Sequence, residues 1–338
     1  MMFRKIILFL FFSLSSFMVL PFCNGSEEPQ KTGGVEKIIV SLGWHLDPCQ
    51  GPILYAMHQG TFKKHGLDIT ITPASGGEES SRYVAMKRAH IGITKSTNHI
   101  VRVNTGLPLK KVGTLVGSPL EVLIVPEHMT NLTELKGKTI GFSTSNVTFS
   151  LLVLDKILEK QGLKRDDITL VAFQQGLMQA FLSKQIDALF TATDPYDTKM
   201  AEQFEKPIRV YRYEAFGIPS FEQFIFFIHK DDEGKPYIRS FLLAIKESIA
   251  AIKHDPGKAW QELCDAYPEL DTSLNYKIWL RLVELFETHP EALNRENLIE
   301  TLTFLSESQV DGKPVIDRNR TSIDDVVCAP GSPTILSS

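Results

Sequence analysis

The sequence predicts a two-lobed α/β protein with mixed, mostly parallel sheets and a cleft between its lobes. Strand-like and helix-like segments alternate from residue 37 to residue 117, and a similar alternation begins again at residue 138. Alternation of this kind is typical of a parallel sheet that is covered by helices. Two apolar runs, at residues 122–126 and 224–229, stand where the chain would cross between the lobes and return. From residue 237 to residue 309 the pattern is helical only.

The first half of the chain has the hydrophobic periodicity of four strands and three helices. Residues 67–72 alternate Leu, Ile and Ile with Asp, Thr and Thr, as a half-buried strand does. Gly66 and Gly106 end two of the helices, since glycine readily takes the left-handed conformation that follows many helices. The predicted strands are residues 37–42, 67–72, 90–94 and 110–117, and the predicted helices are residues 52–65, 80–88 and 98–104.

The second half repeats the pattern and then adds a helical region. The segment from Asp311 onward contains three prolines, which predict an irregular and partly disordered tail. The predicted strands are residues 138–142, 168–173, 188–191 and 208–213, and the helices are residues 132–135, 149–161, 176–183, 237–254, 256–266, 273–287 and 295–309. The predicted domains are lobe 1 (residues 36–122 and 226–310), lobe 2 (residues 123–225) and a tail (residues 311–338).

Residues 1–25 have the composition of a secretory signal peptide. Arg4 and Lys5 precede an apolar run at residues 6–20, which is short for a membrane-spanning helix. Cys23 stands where a lipoprotein signal has its cysteine, but Phe22 is bulkier than the small residue expected before it. We therefore predict cleavage near residue 25, with lipidation at Cys23 and an uncleaved anchor as alternatives.

Charge and cysteine content exclude several classes of protein. Without residues 1–25 the chain has 34 basic and 40 acidic residues, so a basic nucleic-acid-binding face is not expected. No later segment has 18 consecutive apolar residues, and we expect a soluble mature protein. Cys49, Cys264 and Cys328 are odd in number and widely spaced, so neither a disulfide framework nor a metal site is expected. A single disulfide between two of these cysteines remains an alternative.

Polar and aromatic residues follow predicted strands in both lobes. Ligands of such sheets bind at the carboxyl ends of strands, near helix N-termini. Stretches with this location are residues 44–50, 94–98, 143–146 and 191–197. The binding residues we select from them are Trp44, Asp47, Thr94, Ser96, Ser143, Thr144, Ser145, Asn146, Tyr196 and Asp197.

Five motifs between residues 37 and 305 resemble those of a known family. They are residues 44–53 (W-x-x-D-P-x-x-G-P-I), 60–68 (G-x-F-K-K-H-G-L-D), 106–110 (G-L-P-L-K), 135–141 (L-K-G-K-T-I-G) and 216–219 (F-G-I-P). The chain resembles solute-binding proteins of bacterial ABC importers, in the branch related to thiamine-pyrimidine precursor binding proteins and to fungal thiamine-pyrimidine synthases. The second and fourth motifs are widespread among anion and sulfonate binders, so they indicate fold and general role rather than ligand.

The resemblance implies a type II periplasmic binding protein fold and a monomer that acts in the periplasm. Its partners would be a small planar ligand, such as an aminomethyl- or hydroxymethyl-pyrimidine precursor of thiamine, and an ABC permease in the inner membrane. Hinge closure over the ligand needs no cofactor and no catalytic residue. The alternatives are a binding protein for a sulfonate, nitrate or riboflavin-like compound, and an enzyme of the synthase type.

Three departures from the family pattern bear on these alternatives. Where the synthase pattern has Asn-Pro-x-His, residues 47–50 read Asp-Pro-Cys-Gln, so Gln50 replaces the histidine, and no run of cysteines is present to hold the synthase's iron. Synthase chemistry is therefore not expected. Tyr196 aligns with the family's tyrosine, whereas Asp197 is shorter than its glutamate and Lys95 stands where a tyrosine is usual.

An aminopyrimidine presents a ring nitrogen beside an exocyclic amine, and a carboxylate can accept from the amine and from the ring nitrogen when this nitrogen is protonated, in charge-assisted bonds. Asp197 is the first candidate and Asp47 the second, while Trp44 and Tyr196 would stack on the ring. Residues 143–146 offer hydroxyls and backbone N–H groups to a carbonyl, formyl or anionic group. The structural alternatives are helix capping for Asp197 and residues 143–146, core packing for Trp44 and hinge packing for Tyr196. For Glu121 two roles remain as alternatives, a hinge residue and an acid of the site.

Overall fold

The structure is a computed structural model, and it describes residues 35–44, 46–144 and 147–329. The predicted signal peptide with Cys23 lies outside the described residues, and so do His45, Ser145, Asn146 and the last nine residues of the predicted tail. Within the described ranges, no helix combines the length and the apolar character needed to cross a membrane.

Strands and helices alternate through the first two thirds of the described chain, as the sequence predicts. The strands are β1 (Glu36–Ser41), β2 (Leu67–Thr72), β3 (Ile91–Thr94), β4 (Leu109–Val116), β5 (Glu121–Pro126), β6 (Thr139–Ser143), β7 (Thr169–Phe173), β8 (Ala188–Thr193), β9 (Ile208–Arg212), β10 (Phe224–His229), β11 (Gln309–Val310) and β12 (Lys313–Pro314). The helices are α1 (Gly51–His58), α2 (Thr61–Lys64), α3 (Gly77–Ala85), α4 (Ser96–Asn104), α5 (Val147–Lys160), α6 (Leu177–Leu182), α7 (Tyr196–Gln203), α8 (Pro236–His254), α9 (Pro256–Ala266), α10 (Ser273–Leu285), α11 (Arg295–Glu307) and α12 (Ile323–Val326).

Two five-stranded sheets share one topology. Sheet 1 has the order β2-β1-β3-β10-β4, and sheet 2 has the order β7-β6-β8-β5-β9. In each sheet the fourth strand runs antiparallel to both of its neighbours, and the other strand pairs are parallel. This confirms the predicted α/β class with mixed, mostly parallel sheets.

The two antiparallel strands are the crossings between the lobes. β5 follows β4 of sheet 1 in the chain but pairs in sheet 2, and β10 follows β9 of sheet 2 but pairs in sheet 1. Both are apolar and almost fully buried, which is why these runs stand out in the sequence. Because an antiparallel strand begins where its parallel neighbours end, the first residues of both crossings lie at the carboxyl ends of the sheets.

Aromatic side chains fill the core of lobe 1, which we define as sheet 1 with the helices packed on it. Phe226 of β10 meets Phe241 of α8 edge to face, with 5.1 Å between ring centroids. Trp279 of α10 is fully buried, and its indole nitrogen donates a 2.9 Å hydrogen bond to the carbonyl of Pro256. Burial of each such side chain contributes about 1.5–3 kcal/mol. The helices α8, α9 and α10 therefore belong to lobe 1.

The helix α11 and the segment after it differ from the expectation. Leu298 and Leu305 of α11 lie in the same core cluster as Ile157 of α5, but α11 also contacts α4 of lobe 1, so this helix lies against both lobes. Lobe 2 denotes sheet 2 with the helices packed on it. Residues 311–329 were expected to be an irregular tail; instead they include β12 and α12, and Val326 and Val327 are fully buried. The prediction was based on the prolines. The apolar residues between the prolines, however, are buried in a core.

Two further elements differ from the sequence-based expectation. The helix predicted at residues 52–65 is divided into α1 and α2 at Gly60, whose φ is +68°. The helix α7 was not predicted, because its sequence is polar and charged on most of its surface and Ala201 is its one fully buried residue. Both differences concern short segments whose hydrophobic periodicity is weak.

Candidate functional site

A cavity of about 300 Å³ lies between the carboxyl ends of the two sheets. Its walls come from the loops after β1, β2 and β3 in lobe 1 and from the ends of β6 and β8 in lobe 2. Glu121 and Phe224, the first residues of the two crossing strands, complete it. The volume is at the lower end of the range for small-molecule sites, about 300–1,000 Å³.

Most of the predicted binding residues meet at this cavity. Ser96 and Thr144 do not line it, and Ser145 and Asn146 lie outside the described residues. The predicted residues that line it are Trp44, Asp47, Thr94, Ser143, Tyr196 and Asp197.

The two hydroxyls that stay out of the cavity have structural contacts. Ser96 is fully buried, and its hydroxyl accepts a 3.1 Å hydrogen bond from the backbone nitrogen of Glu222. Its own backbone nitrogen donates to the Glu222 carbonyl at 3.0 Å, so Ser96 ties the start of α4 to the second crossing. Thr144 is exposed and faces the carbonyl of Phe173 at 3.5 Å.

Gly43 directs the chain from β1 into the cavity. Its φ is +68°, and a Cβ atom at this position would lie 2.2 Å from the carbonyl oxygen of Ile93 on β3. A glycine is therefore required on two grounds, the left-handed conformation and the close approach of two backbones. The turn at Gly43 ends the strand and brings Trp44 to the cavity wall.

Asp47 begins a short 3₁₀ helix, Pro48–Gln50, as its N-cap. The carboxylate oxygen Oδ1 accepts a 2.7 Å hydrogen bond from the backbone nitrogen of Cys49. The side chain of Gln50 in turn accepts a 2.9 Å hydrogen bond from the backbone nitrogen of Asp47. Gln50, which replaces the histidine of the synthase pattern, thus closes a capping box and does not line the cavity.

Tyr196 reaches from lobe 2 to Asp47. Its hydroxyl donates a 2.7 Å hydrogen bond to Asp47 Oδ1, and the phenol also contacts the Cys49 thiol. Burial, followed by the charge of Asp47, raises the pKa of Tyr196 well above its ordinary value, so the phenol stays a neutral donor. The same two causes raise the pKa of Cys49, which keeps this thiol protonated and unreactive.

Asp197 is a half-buried acid of the cavity wall. It lies in the first turn of α7, and its Oδ2 accepts a 2.6 Å hydrogen bond from the backbone nitrogen of Thr193. Burial raises the pKa of Asp197 from 3.8 to about 6, and the hydrogen bond from Thr193 opposes this shift only in part. A carboxylate in this position gains from a ligand that offers it hydrogen-bond donors or positive charge.

Lys95 and Glu121 form an ion pair that sequence reasoning did not place in the site. Lys95 follows β3 in lobe 1 and Glu121 opens β5, and both side chains line the cavity. The sequence singled out Lys95 as a departure from the family pattern and Glu121 as an acid of undecided role. The sequence does show opposite charges at the end of one strand and the start of another. Whether they pair depends on where the crossing strand β5 lies.

Thr191 is the strained residue of the cavity wall. Its φ is +61°, a conformation that β-branched residues rarely adopt. Two hydrogen bonds hold it: its hydroxyl accepts from the Ser143 nitrogen at 2.8 Å, and its own nitrogen donates to the Tyr213 hydroxyl at 3.1 Å. No feature of the sequence indicates such a conformation.

Thr94 presents a buried hydroxyl to the cavity. The side chain is 4% exposed, and its hydroxyl has no hydrogen-bond partner among the described residues. Gly77 packs directly against it, since a Cβ atom on Gly77 would lie 2.1 Å from this oxygen. Buried hydroxyls are nearly always hydrogen-bonded, so a ligand or a water is expected at Thr94.

Acidic side chains outnumber basic ones in the described wall of the cavity. Asp47, Glu121 and Asp197 face one cation, Lys95. In the described part of the chain, no three His, Cys, Asp or Glu side chains are grouped so that they could hold a metal ion. The cavity is therefore suited to a neutral or cationic organic ligand with hydrogen-bond donors, and its aromatic residues favour a planar one.

Comparison with known proteins bears on both the family and the fold. Residues 48–259 match the family described as NMT1/THI5 like. The chain is 26% identical to a Haemophilus influenzae protein named for thiamine biosynthesis, over 80% of this chain and 87% of that protein. It is 25% identical to a 4-amino-5-hydroxymethyl-2-methylpyrimidine phosphate synthase of Saccharomyces cerevisiae, over 77% of this chain and 80% of the yeast protein.

Among solved structures, the periplasmic aliphatic sulphonate binding protein of Escherichia coli has the same fold. It superimposes with a TM-score of 0.62 at 18% identity, over 84% of this chain and 98% of the other. This likeness establishes the two-lobed fold of periplasmic binding proteins that the resemblance predicted.

Proposed function

The chain belongs to the NMT1/THI5-like family, and we propose that it is the solute-binding protein of an ABC importer for a small planar aminopyrimidine. An aminomethyl- or hydroxymethyl-pyrimidine precursor of thiamine is the ligand type that we propose. The observation that carries this proposal is the half-buried carboxyl of Asp197, whose pKa burial raises and which lies among aromatic side chains in an acidic cavity.

Asp197 supplies the contact that distinguishes an aminopyrimidine from other flat rings. One of its oxygens is held by the Thr193 backbone nitrogen, so the carboxylate has a fixed orientation. The amine and the adjacent ring nitrogen, in its protonated form, would lie against this carboxylate, and both would donate to it. Charge-assisted hydrogen bonds of this kind are roughly twice as strong as neutral ones.

Aromatic side chains from both lobes supply the faces for the ring. Trp44 lies on the lobe 1 side, Tyr196 on the lobe 2 side, and Phe224 at the start of the second crossing. Stacking on such rings adds about 0.5–1.5 kcal/mol beyond the burial of apolar area. Thr94 would hydrogen-bond the exocyclic substituent, which supports a ligand with a hydroxyl, amine or formyl group.

Hinge closure is the proposed mechanism. Two polar contacts already join the lobes at the cavity, Tyr196 with Asp47 and Lys95 with Glu121. A ligand held between both lobes would stabilise this closed form at the expense of an open one. The closed form would then dock to a permease in the inner membrane, and we propose a periplasmic monomer exported by the predicted signal peptide.

The fungal relatives favour a second candidate, an enzyme of the pyrimidine synthase type. They are named as synthases at about 25% identity, and Lys95 places a primary amine in the cavity. The position of Gln50 opposes this candidate, because its side chain caps a helix where the synthase pattern has a histidine. Recovery of chemically unchanged ligand from the protein, checked by mass spectrometry, favours binding, whereas a new pyrimidine product supports synthesis.

A thermal-shift screen tests the proposal. The chain without residues 1–25 would be heated with thiamine, its hydroxymethyl- and aminomethyl-pyrimidines, taurine, nitrate and riboflavin. We expect the pyrimidines to raise the unfolding temperature, because a ligand that binds only the native state stabilises it. A large shift with taurine and none with the pyrimidines would instead support a sulfonate-binding protein.

A further inference from the structure

The one cation in the described wall of the cavity is already neutralised. Lys95 is 17% exposed and its ammonium contacts the carboxylate of Glu121, which is 6% exposed. Both residues stand at strand boundaries that open into the cavity, one from each lobe. Since a buried charge without a partner is strongly unfavourable, the ion pair offsets the cost of burying both charges.

Without Glu121, the part of the wall around Lys95 would offer several donors to an anion. Lys95 would offer an ammonium, Thr94 offers an unpartnered buried hydroxyl, and the N-terminus of the nine-residue helix α3 lies beside them at Gly76 and Gly77. Backbone N–H groups at a helix start, a cation and a hydroxyl are the donors that bind sulfonate, phosphate and carboxylate.

The acidic residues at the start of α3 do not change this conclusion. Glu78 lies against Arg82 and Arg102, and Glu79 accepts hydrogen bonds from Ser75. Neither glutamate lines the cavity. Glu121 is therefore the acid that pairs with Lys95, the cation of this wall.

We propose that Glu121 is the selectivity residue that excludes anionic ligands from this cavity. It engages the Lys95 ammonium and adds a negative charge to a wall that already holds Asp47 and Asp197. In the terms of the proposed function, on which this inference rests, the cavity accepts the free hydroxymethyl-pyrimidine and rejects its phosphate monoester. Like charges placed together in an interface repel each other, so the monoester is expected to bind less tightly than the free pyrimidine.

Titration calorimetry on the wild type and Glu121→Gln tests the assignment. The probes are 4-amino-5-hydroxymethyl-2-methylpyrimidine, its phosphate monoester and ethanesulfonate. The wild type is expected to bind the free pyrimidine at least about tenfold more tightly than the monoester. Glu121→Gln is expected to gain at least about tenfold in affinity for the monoester and to bind ethanesulfonate measurably, because Lys95 is then free to pair with an anion.

A double variant and a substitute variant complete the design. Lys95→Met combined with Glu121→Gln should lose the gained anion affinity, which assigns the gain to the lysine. If Glu121→Gln is not recovered as folded protein, Glu121→Ser, which leaves room for water beside Lys95, takes its place. Equal wild-type affinity for ester and free pyrimidine, or no gain of anion affinity in the variant, overturns the proposal. Absence of pyrimidine binding by the wild type, with a gain of ethanesulfonate binding in the variant, refutes only the proposed ligand.

Discussion

The hydroxyl of Tyr196 donates a 2.7 Å hydrogen bond to Oδ1 of Asp47, and this bond joins the two lobes across the cleft. The same oxygen of Asp47 caps the 3₁₀ helix through the Cys49 nitrogen, so the acceptor is held in place by its own lobe. The hydrogen bond therefore links closure of the lobes to a rigid part of the cavity wall.

Tyr196→Phe is expected to weaken closure and ligand binding together. A hydrogen bond to a charged group contributes about 1.5–3 kcal/mol, which corresponds to a loss of about tenfold or more in affinity. Calorimetry gives the affinity, and small-angle scattering with and without ligand gives the fraction of closed protein. Tyr211→Phe is the matched control, since its hydroxyl lies 3.5 Å from the Thr130 carbonyl, away from the cavity. Equal effects of the two substitutions would contradict a role for Tyr196 in closure.

Asp197→Asn is expected to lower affinity and raise the stability of the ligand-free protein. Burial raises the pKa of Asp197 from 3.8 to about 6. The folded protein therefore binds a proton at the Asp197 carboxyl more tightly than the unfolded chain does. The stability that this proton contributes is fully present below about pH 4 and is lost as pH rises through about 6. At pH 7.5 the amide avoids the cost of burying a charge, about 1–3 kcal/mol.

Urea unfolding of Asp197→Asn and wild type from pH 4 to pH 8 measures this difference. The stability gap is expected to open as pH rises, while pyrimidine affinity at pH 7.5 falls by about tenfold to a hundredfold. Asp187→Asn is the control, because Asp187 also accepts a backbone hydrogen bond, from Thr139 at 2.8 Å, but lies outside the cavity. A variant at residue 197 that keeps full affinity would remove this carboxylate from the site.

Gly43→Ala and Gly60→Ala form a pair that separates backbone strain from steric contact. Both glycines have φ +68°, but only at Gly43 does a Cβ atom meet another backbone, 2.2 Å from the Ile93 oxygen. Gly60→Ala should lose about 1 kcal/mol of unfolding free energy from strain alone. Gly43→Ala should lose clearly more and should also weaken ligand binding, because Trp44 moves with the turn. Urea unfolding measures the unfolding free energy of both variants. Equal losses would show that the backbone at residue 43 moves away from the Ile93 oxygen without cost.

The three buried cysteines are expected to be free and unreactive in the native protein. Cys49, Cys264 and Cys328 form no disulfide. Burial raises the pKa of Cys264 to about 11 and that of Cys328 to about 12, and raises the pKa of Cys49 well above its ordinary value. Because the thiolate is the reactive form, a thiol reagent at pH 8 should modify all three quickly in denaturant and very slowly without it. Rapid modification of Cys49 in the native state would contradict its buried position.

The location of the site could be predicted from sequence because it depends on strand ends. Each of the six lining residues selected from the sequence stands at the end of a strand or in the loop after it, and the structure places all six at the cavity: Trp44, Asp47, Thr94, Ser143, Tyr196 and Asp197. The carboxyl ends of parallel strands share one edge of a sheet, so the order of elements was sufficient.

The polar contacts within the site could not be predicted in the same way. Ser96 stands two residues after Thr94, the last residue of β3, but its hydroxyl accepts a hydrogen bond from the backbone nitrogen of Glu222, which is distant in the chain. The pairing of Lys95 with Glu121 and the left-handed conformation of Thr191 depend on how the crossing strand β5 packs against sheet 2. Such contacts are set by tertiary packing and leave no periodic signal in the chain.

The most direct test of the central claim is a calorimetric comparison of two ligands that differ at one edge. Wild-type protein without residues 1–25 would be titrated with 4-amino-5-hydroxymethyl-2-methylpyrimidine and with the analogue that carries hydrogen instead of the 4-amine. If Asp197 accepts a hydrogen bond from the amine, the amino compound should bind at least about a hundredfold more tightly, because the analogue lacks this donor and leaves the carboxylate unpaired. Equal affinities, or binding of neither pyrimidine, would contradict the claim.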